Sequence, residues 1–207
     1  KKRMNESISD EFALMTISRI SDALKYLFSN SLIHRDLKPS NILLDNDFIP
    51  YISDMDTIRE MPNLEELGKE RYEKEDFTQD IGTTLYSAPE QESGIPSLSS
   101  DIYSFGLNIY YLYQKEHMWS HIGNAISLKK DENVLEMTNM PVSIRELYKN
   151  CVKFSKEDRL TDIDKIIEII IEEIISIDKN HLLNIKASIS VPIIYEYFMI
   201  ETELSPI

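Results

Sequence analysis

Residues His34-Arg35-Asp36-Leu37-Lys38-Pro39-Ser40-Asn41 constrain this chain more than any other stretch. Pro39 removes a backbone donor and pushes the residue before it out of the helical region, so no helix can run through the segment. The chain must cross it as an irregular loop, and that loop carries a carboxylate, an ammonium and a neutral amide. Everything else can be placed relative to it.

Upstream, Ser9 followed by Asp10 and Glu11 marks a helix start, a hydroxyl cap with acids at the positive end of the dipole. Phe12, Met15, Ile20, Ala23, Leu24, Leu27 and Phe28 recur at helical spacing to about Ser29, which predicts an amphipathic helix leading into the loop. Downstream, Ile42-Leu43-Leu44, an Asx-rich turn at Asp45-Asn46-Asp47 and a second run from Phe48 to Ser53 predict a β-hairpin. Pro50 limits the second run to an edge or an irregular pairing. The hairpin would return the chain so that Asp54 faces Asn41.

Residues 57–81 are polar, acidic and irregular, the pattern of a solvated segment. Ser99-Ser100-Asp101 starts a further helix, and no charged residue follows from Ile102 to Tyr113, so that helix is buried on all sides. Val142, Ile144, Leu147, Cys151, Val152 and Phe154 predict a helix over 142–154. A last helix starts at Thr161, with Ile163, Ile166, Ile167, Ile170, Ile174 and Ile177 inward and Glu168 and Glu172 outward. His117 and His121 are four apart, but no acid lies between them and no third His or Cys is near, so they read as part of a connection rather than a zinc site. Residues 178–207 show no motif or repeat, and form a tail that packs on the domain or begins another.

Composition narrows the partners. Formal net charge is −14, which repels phosphate backbones and anionic lipid, so neither nucleic acid nor membrane is expected. One cysteine, Cys151, excludes a disulfide within the chain and suits a reducing compartment. With no apolar run long enough to span a bilayer, the expectation is an intracellular, cytoplasmic protein or the intracellular part of a larger one.

An acid, a base and an amide presented by one rigid loop suit phosphoryl transfer, where the protein's work is positioning and charge neutralisation. The string 34–41 matches H-R-D-L-x-x-x-N, and the chain resembles a eukaryotic-type protein kinase, with Lys38-Pro39 similar to its Ser/Thr-directed members. Gly82-Thr83-Thr84-Leu85-Tyr86-Ser87-Ala88-Pro89-Glu90 resembles the family's G-T-x-x-Y-x-A-P-E. Asp101 and Gly106 resemble its D-x-x-x-x-G helix, and Asp54 takes the place of the Asp of D-F-G. The resemblance implies that Asp36 orients the substrate hydroxyl and accepts its proton, and that Lys38 neutralises the transferred phosphoryl group. It implies that Asn41 and Asp54 hold Mg²⁺ for ATP, and that Thr83 bonds to Asp36 and Lys38. His34 would be structural, Asp101 would hold the loop backbone, and Glu90 would pair with Arg159. Arg35 would receive an activation-loop phosphate at Thr78, or a permanent counter-charge from Asp76 or Asp80. The partner implied is a protein substrate with Ser or Thr.

The expected fold is α+β and mainly helical, a kinase-like large lobe over residues 1–177 with a small hairpin beside the catalytic loop. Nothing before residue 34 reads as the Gly-rich loop, strand lysine or helix glutamate of a small lobe, so the expected piece lacks that lobe and partners with it in the parent protein. The triplet Asp54-Met55-Asp56 departs from D-F-G: Met55 can fill an apolar slot, but Asp56 stands where glycine permits a positive φ. That departure, together with the absent small lobe, favours a rival reading, a non-catalytic, pseudokinase-like or truncated interaction module.

Overall fold

Ser9 Oγ accepts the Phe12 N–H at 3.2 Å and opens helix α1, Asp10–Ser29, with Asp10 and Glu11 in its first turn. Asn30 ends it by donating its side-chain amide to the Tyr26 carbonyl at 2.8 Å. The computed structural model describes residues 9–61, 85–91, 96–115 and 139–177. Thr78, Thr83, His117, His121 and the tail 178–207 lie outside the described residues.

The inward face of α1 is centred on Leu14, Ile17, Ile20, Leu24 and Leu27, all essentially inaccessible, while Phe12 and Met15 are only half-buried. The expected stripe is thus displaced and broadened. The cause is that α1 is covered from several sides at once, by helix α2 (Leu98–Gln114), helix α4 (Ile163–Ile177) and strand β3 (Pro50–Ile52). Buried hydroxyls on α1 are satisfied locally, Thr16 donating to the Phe12 carbonyl and Ser21 to that of Ser18.

Two small antiparallel ladders flank the loop. Strand β2 (Ile42–Leu44) pairs with β3 in the register Ile42 to Ile52, Leu43 to Tyr51 and Leu44 to Pro50. Asp45 closes that hairpin, its carboxylate accepting the Asp47 N–H at 2.9 Å, the Ile49 N–H at 2.8 Å and the Tyr51 hydroxyl at 3.1 Å. The second ladder corrects the reading of 57–81 as irregular throughout: β1 (Leu32–Ile33) pairs with β4 (Arg59–Glu60). Both β4 side chains are exposed, so no alternation in the sequence announces it; the backbone partners alone define it.

Helix α2 carries a capping box between Ser97 and Ser100 and is buried from Ser99 to Tyr110. Helix α3 (Val142–Cys151) packs on α2 and on α4. The approach of α2 to the end of α3 needs Gly106, where a Cβ would lie 2.6 Å from Val152 Cγ1 and 2.8 Å from Cys151 Cβ. Helix α3 stops at Cys151 rather than reaching residue 154, because Arg159 takes the carbonyls of Lys153 (2.7 Å) and Phe154 (2.9 Å). Helix α4 starts at Ile163, where the Asp162 carboxylate accepts the N–H groups of Asp164 and Lys165. Ile166, Ile170 and Ile174 are buried on it, but Ile177 in its last turn is 41% exposed. Among the described residues no helix is long and apolar enough to cross a membrane.

Candidate active site

The loop 34–41 hangs from α2. Asp101, in the first turn of that helix and almost wholly buried, accepts the backbone N–H of His34 at 2.6 Å and of Arg35 at 2.9 Å. Burial raises its pKa to about 6, against the lowering pull of those two N–H groups and the Arg35 charge. His34 is also wholly buried. Its Nδ1 receives the Asp36 N–H at 3.3 Å, so Nε2 carries the ring proton and donates to the Ser53 carbonyl at 3.0 Å. Burial lowers its pKa and keeps the ring neutral, the state this pairing needs.

Arg35 has φ 73, a left-handed conformation that costs an ordinary residue roughly 1–3 kcal/mol and persists only where the surroundings impose it. Here the surroundings are Asp101 on its N–H and Gln91 on its carbonyl, the latter at 2.9 Å.

Asp36 and Lys38 meet at 2.8 Å, Nζ to Oδ2, with both side chains largely shielded. Asn41 closes the loop from a single 3₁₀ turn, Pro39–Asn41. Its Nδ2 faces three acceptors: the Asp36 carbonyl at 2.9 Å, Asp36 Oδ2 at 3.0 Å and Asp54 Oδ2 at 3.3 Å. The hairpin delivers Asp54 to that point, held at its base by the Ser53 N–H on the Asn41 carbonyl at 2.8 Å. Asp36, Lys38, Asn41 and Asp54 therefore form one polar cluster.

In the Asp54-Met55-Asp56 triplet the left-handed residue is Asp54, with φ 67 and ψ 54. Asp56 belongs to the 3₁₀ turn Met55–Thr57, is exposed, and is not among the positive-φ residues, so its position makes no demand for glycine. Met55 is half-buried against the main core.

Asn41 and Asp54 offer a carboxamide oxygen and a carboxylate. Among the described residues all the side-chain hydrogen bonds of Asn41 run through its nitrogen, which leaves Oδ1 uncommitted to them. Among the described residues no group of three or more His, Cys, Asp and Glu could enclose a metal. Two hard oxygens without a closed cage fit Mg²⁺, which keeps waters and substrate phosphates in its shell.

Glu90 and Arg159 form a two-pronged ion pair beneath the segment 85–91, with Ser100 donating to Glu90 Oε1 at 2.9 Å. Tyr86 and Ala88 pack on Tyr103 and Leu107 of α2 and seat that segment. Two residues that sequence reasoning passed over also contact the loop, Gln91 on the Arg35 carbonyl and Asn108 on the Leu37 carbonyl. Asn108 carried a signal, an amide within an uncharged helical run; Gln91 carried none.

The protein kinase domain family matches residues 1–175. The chain is 38% identical over 110 residues to Serine/threonine-protein kinase D of Synechocystis sp., covering 53% of this chain and 21% of that one. It is 29% identical over 167 residues to Serine/threonine-protein kinase PKH2 of Candida albicans, covering 76% and 17%. It is 34% identical over 111 residues to the Protein kinase and PP2C-like domain-containing protein of Arabidopsis thaliana, covering 48% and 16%. The chain spans less than a third of the length of each of these relatives. Matched over most of its length, and with the motif residues of its loop drawn into one cluster, this chain belongs to the protein kinase domain family.

Proposed function

We propose that this chain is the large-lobe part of a protein kinase that transfers the γ-phosphoryl group of ATP to Ser or Thr hydroxyls. The observation that carries this reading is the convergence of Lys38, Asp36, Asn41 and Asp54 in one run of direct contacts, Lys38 on Asp36, and Asn41 on both Asp36 and Asp54. Lys38 and Asn41 both meet Asp36 at Oδ2, so Oδ1 is the oxygen that orients the incoming hydroxyl and takes its proton. Lys38, beside it, supplies a point charge for the transferred group. Asn41 Oδ1 and the Asp54 carboxylate hold Mg²⁺, which neutralises charge on the ATP phosphates when bound. The names of the relatives, serine/threonine-protein kinases among them, support the substrate class.

The rival, a module without chemistry, draws on Asp56 standing in a glycine position and on the absence of small-lobe motifs from the sequence. Asp56 lies in an ordinary turn at the surface, which removes the backbone objection to a working site.

The test is radiolabelled phosphate transfer from ATP to a mixed Ser/Thr peptide library by the full-length protein. Asp36→Asn serves as the blank, and Asp54→Ala is assayed at saturating magnesium with its melting midpoint checked. Loss of transfer in a folded Asp54→Ala is expected. Turnover near the parental level in that variant would remove the metal role.

A further inference from the structure

Three consecutive carbonyls of the loop are each met by a carboxamide from a different part of the fold. Gln91 Nε2, from the segment 85–91, donates to the Arg35 carbonyl at 2.9 Å. Asn41 Nδ2 donates to that of Asp36 at 2.9 Å. Asn108 Nδ2, from the middle of α2, donates to that of Leu37 at 3.2 Å.

Packing does not explain Asn108. It is 1% exposed, lies between buried Leu107 and Ile109, and has its Oδ1 buried with no hydrogen-bond partner among the described residues. A buried, unsatisfied oxygen is unfavourable, and a leucine here would avoid it. Besides a bond back to the Ser104 carbonyl within its own helix at 2.8 Å, the one partner Asn108 gains outside α2 among the described residues is Leu37. Gln91, 5% exposed, accepts the Ala88 N–H at 2.8 Å through Oε1 while its Nε2 holds Arg35. One amide therefore joins the segment 85–91 to the loop at the residue with φ 73.

A held carbonyl fixes its whole peptide plane, including the N–H of the next residue. The Arg35 carbonyl sets the plane leading into Asp36, and the Leu37 carbonyl sets the plane leading into Lys38. We infer that Gln91 and Asn108 are positioning residues, Gln91 aiming the Asp36 carboxylate and Asn108 aiming the Lys38 ammonium through these planes. The inference rests on the reading of Asp36 and Lys38 as the groups that act on the hydroxyl and the phosphoryl group. Rotation of either plane would move the side chain it leads into, and displacement of a reacting group by about 1 Å can cost on the order of a hundredfold in rate.

Gln91→Met and Asn108→Leu, both close in size to the parent residues, separate this role from a structural one. They are made in the full-length protein and assayed for kcat, KM for ATP, melting midpoint and amide hydrogen exchange at Asp36 and Lys38. The expected result is a kcat lower by about tenfold or more, from misplacement. KM for ATP should stay within about twofold, since binding is not what these residues serve. The midpoint of Asn108→Leu should hold, because that change also removes the unpartnered oxygen. Exchange should quicken at Asp36 in Gln91→Met and at Lys38 in Asn108→Leu. Parental kcat per folded molecule in both variants would overturn the inference, whether or not their stability falls. If the parent transfers no phosphate, the kinase reading fails by itself; the exchange data then decide, faster exchange sustaining the clamp and unchanged exchange ending it.

Discussion

Arg159 forks onto Glu90, Nη1 to Oε1 at 2.5 Å and Nη2 to Oε2 at 2.9 Å, across 69 residues of chain. Its remaining donors reach the carbonyls of Lys153, Ser99 and Phe154, so all five guanidinium N–H groups are engaged. The guanidinium also lies over Tyr103, 4.8 Å from the ring centroid. One side chain therefore ties the segment 85–91, the start of α2 and the turn after α3 together.

Arg159→Ala is expected to destabilise the protein by roughly 3–5 kcal/mol, because it strands a shielded Glu90 and frees three carbonyls, that of buried Ser99 among them. Arg159→Lys should recover only a fraction, since a point charge cannot serve a forked set of acceptors. Urea denaturation of the three proteins measures both. An Arg159→Ala midpoint equal to the parent's would show that the pair contributes nothing.

Acid titration should show two opposing slopes. Burial alone would raise the Glu90 pKa, but hydrogen bonding and charge from Arg159, with help from Ser100, carry it below its ordinary value. Its contribution is present above the unfolded pKa and is lost as pH falls through the lower folded one. Asp101 behaves oppositely. Burial raises its folded pKa to about 6, so its contribution is greatest below its ordinary value of about 3.9 and is lost as pH rises through about 6. Asp101→Asn should flatten the stability profile in that window. Asp22, also raised to about 6 by burial, keeps its own slope there in both proteins. An unchanged profile in Asp101→Asn would refute the assignment. The variant should also lose about 1–3 kcal/mol, because an amide cannot accept both loop N–H groups.

Gly106→Ala should be destabilising by roughly 1–3 kcal/mol, the cost of overpacking a close helix approach. The added methyl would meet Val152 Cγ1 at 2.6 Å and Cys151 Cβ at 2.8 Å, both on the turn that ends α3. A thermal melt reads the effect. A midpoint at or above the parent's would mean that α3 can withdraw freely.

These 207 residues, expressed alone, are expected to transfer no phosphate above an Asp36→Asn blank. The chain holds five glycines, none at G-x-G-x-x-G spacing, so its sequence offers no motif of that type to cradle the phosphates. On an open, wet surface a charge pair at 4 Å is worth only about 1 kcal/mol. Transfer clearly above the blank would mean that the chain, or a dimer of it, covers the nucleotide by other means.

Much of the fold was legible because its signals are local. Ser9 caps its helix within three residues, Asp45 closes its turn within six, and the uncharged run 102–113 could only be a buried helix. The helix ends are less legible. Carbonyls at 153 and 154 were claimed by Arg159, and Asp162 set the start of α4 two residues beyond Thr161.

By itself the sequence determined which chemical groups sit on the loop and that the loop cannot be helical, since both follow from residue identity and from the ring of Pro39. Tertiary structure alone decided how those groups are aimed. The β1–β4 ladder and the bond of Gln91 to Arg35 across 56 residues leave no local pattern, and the amide of Asn108 within its uncharged run does not say that it meets Leu37, 71 residues away. The left-handed turn falls at Asp54 rather than Asp56. Each of these depends on where packed helices bring distant backbone groups, and a buried carbonyl takes whichever donor the packing places within about 3 Å.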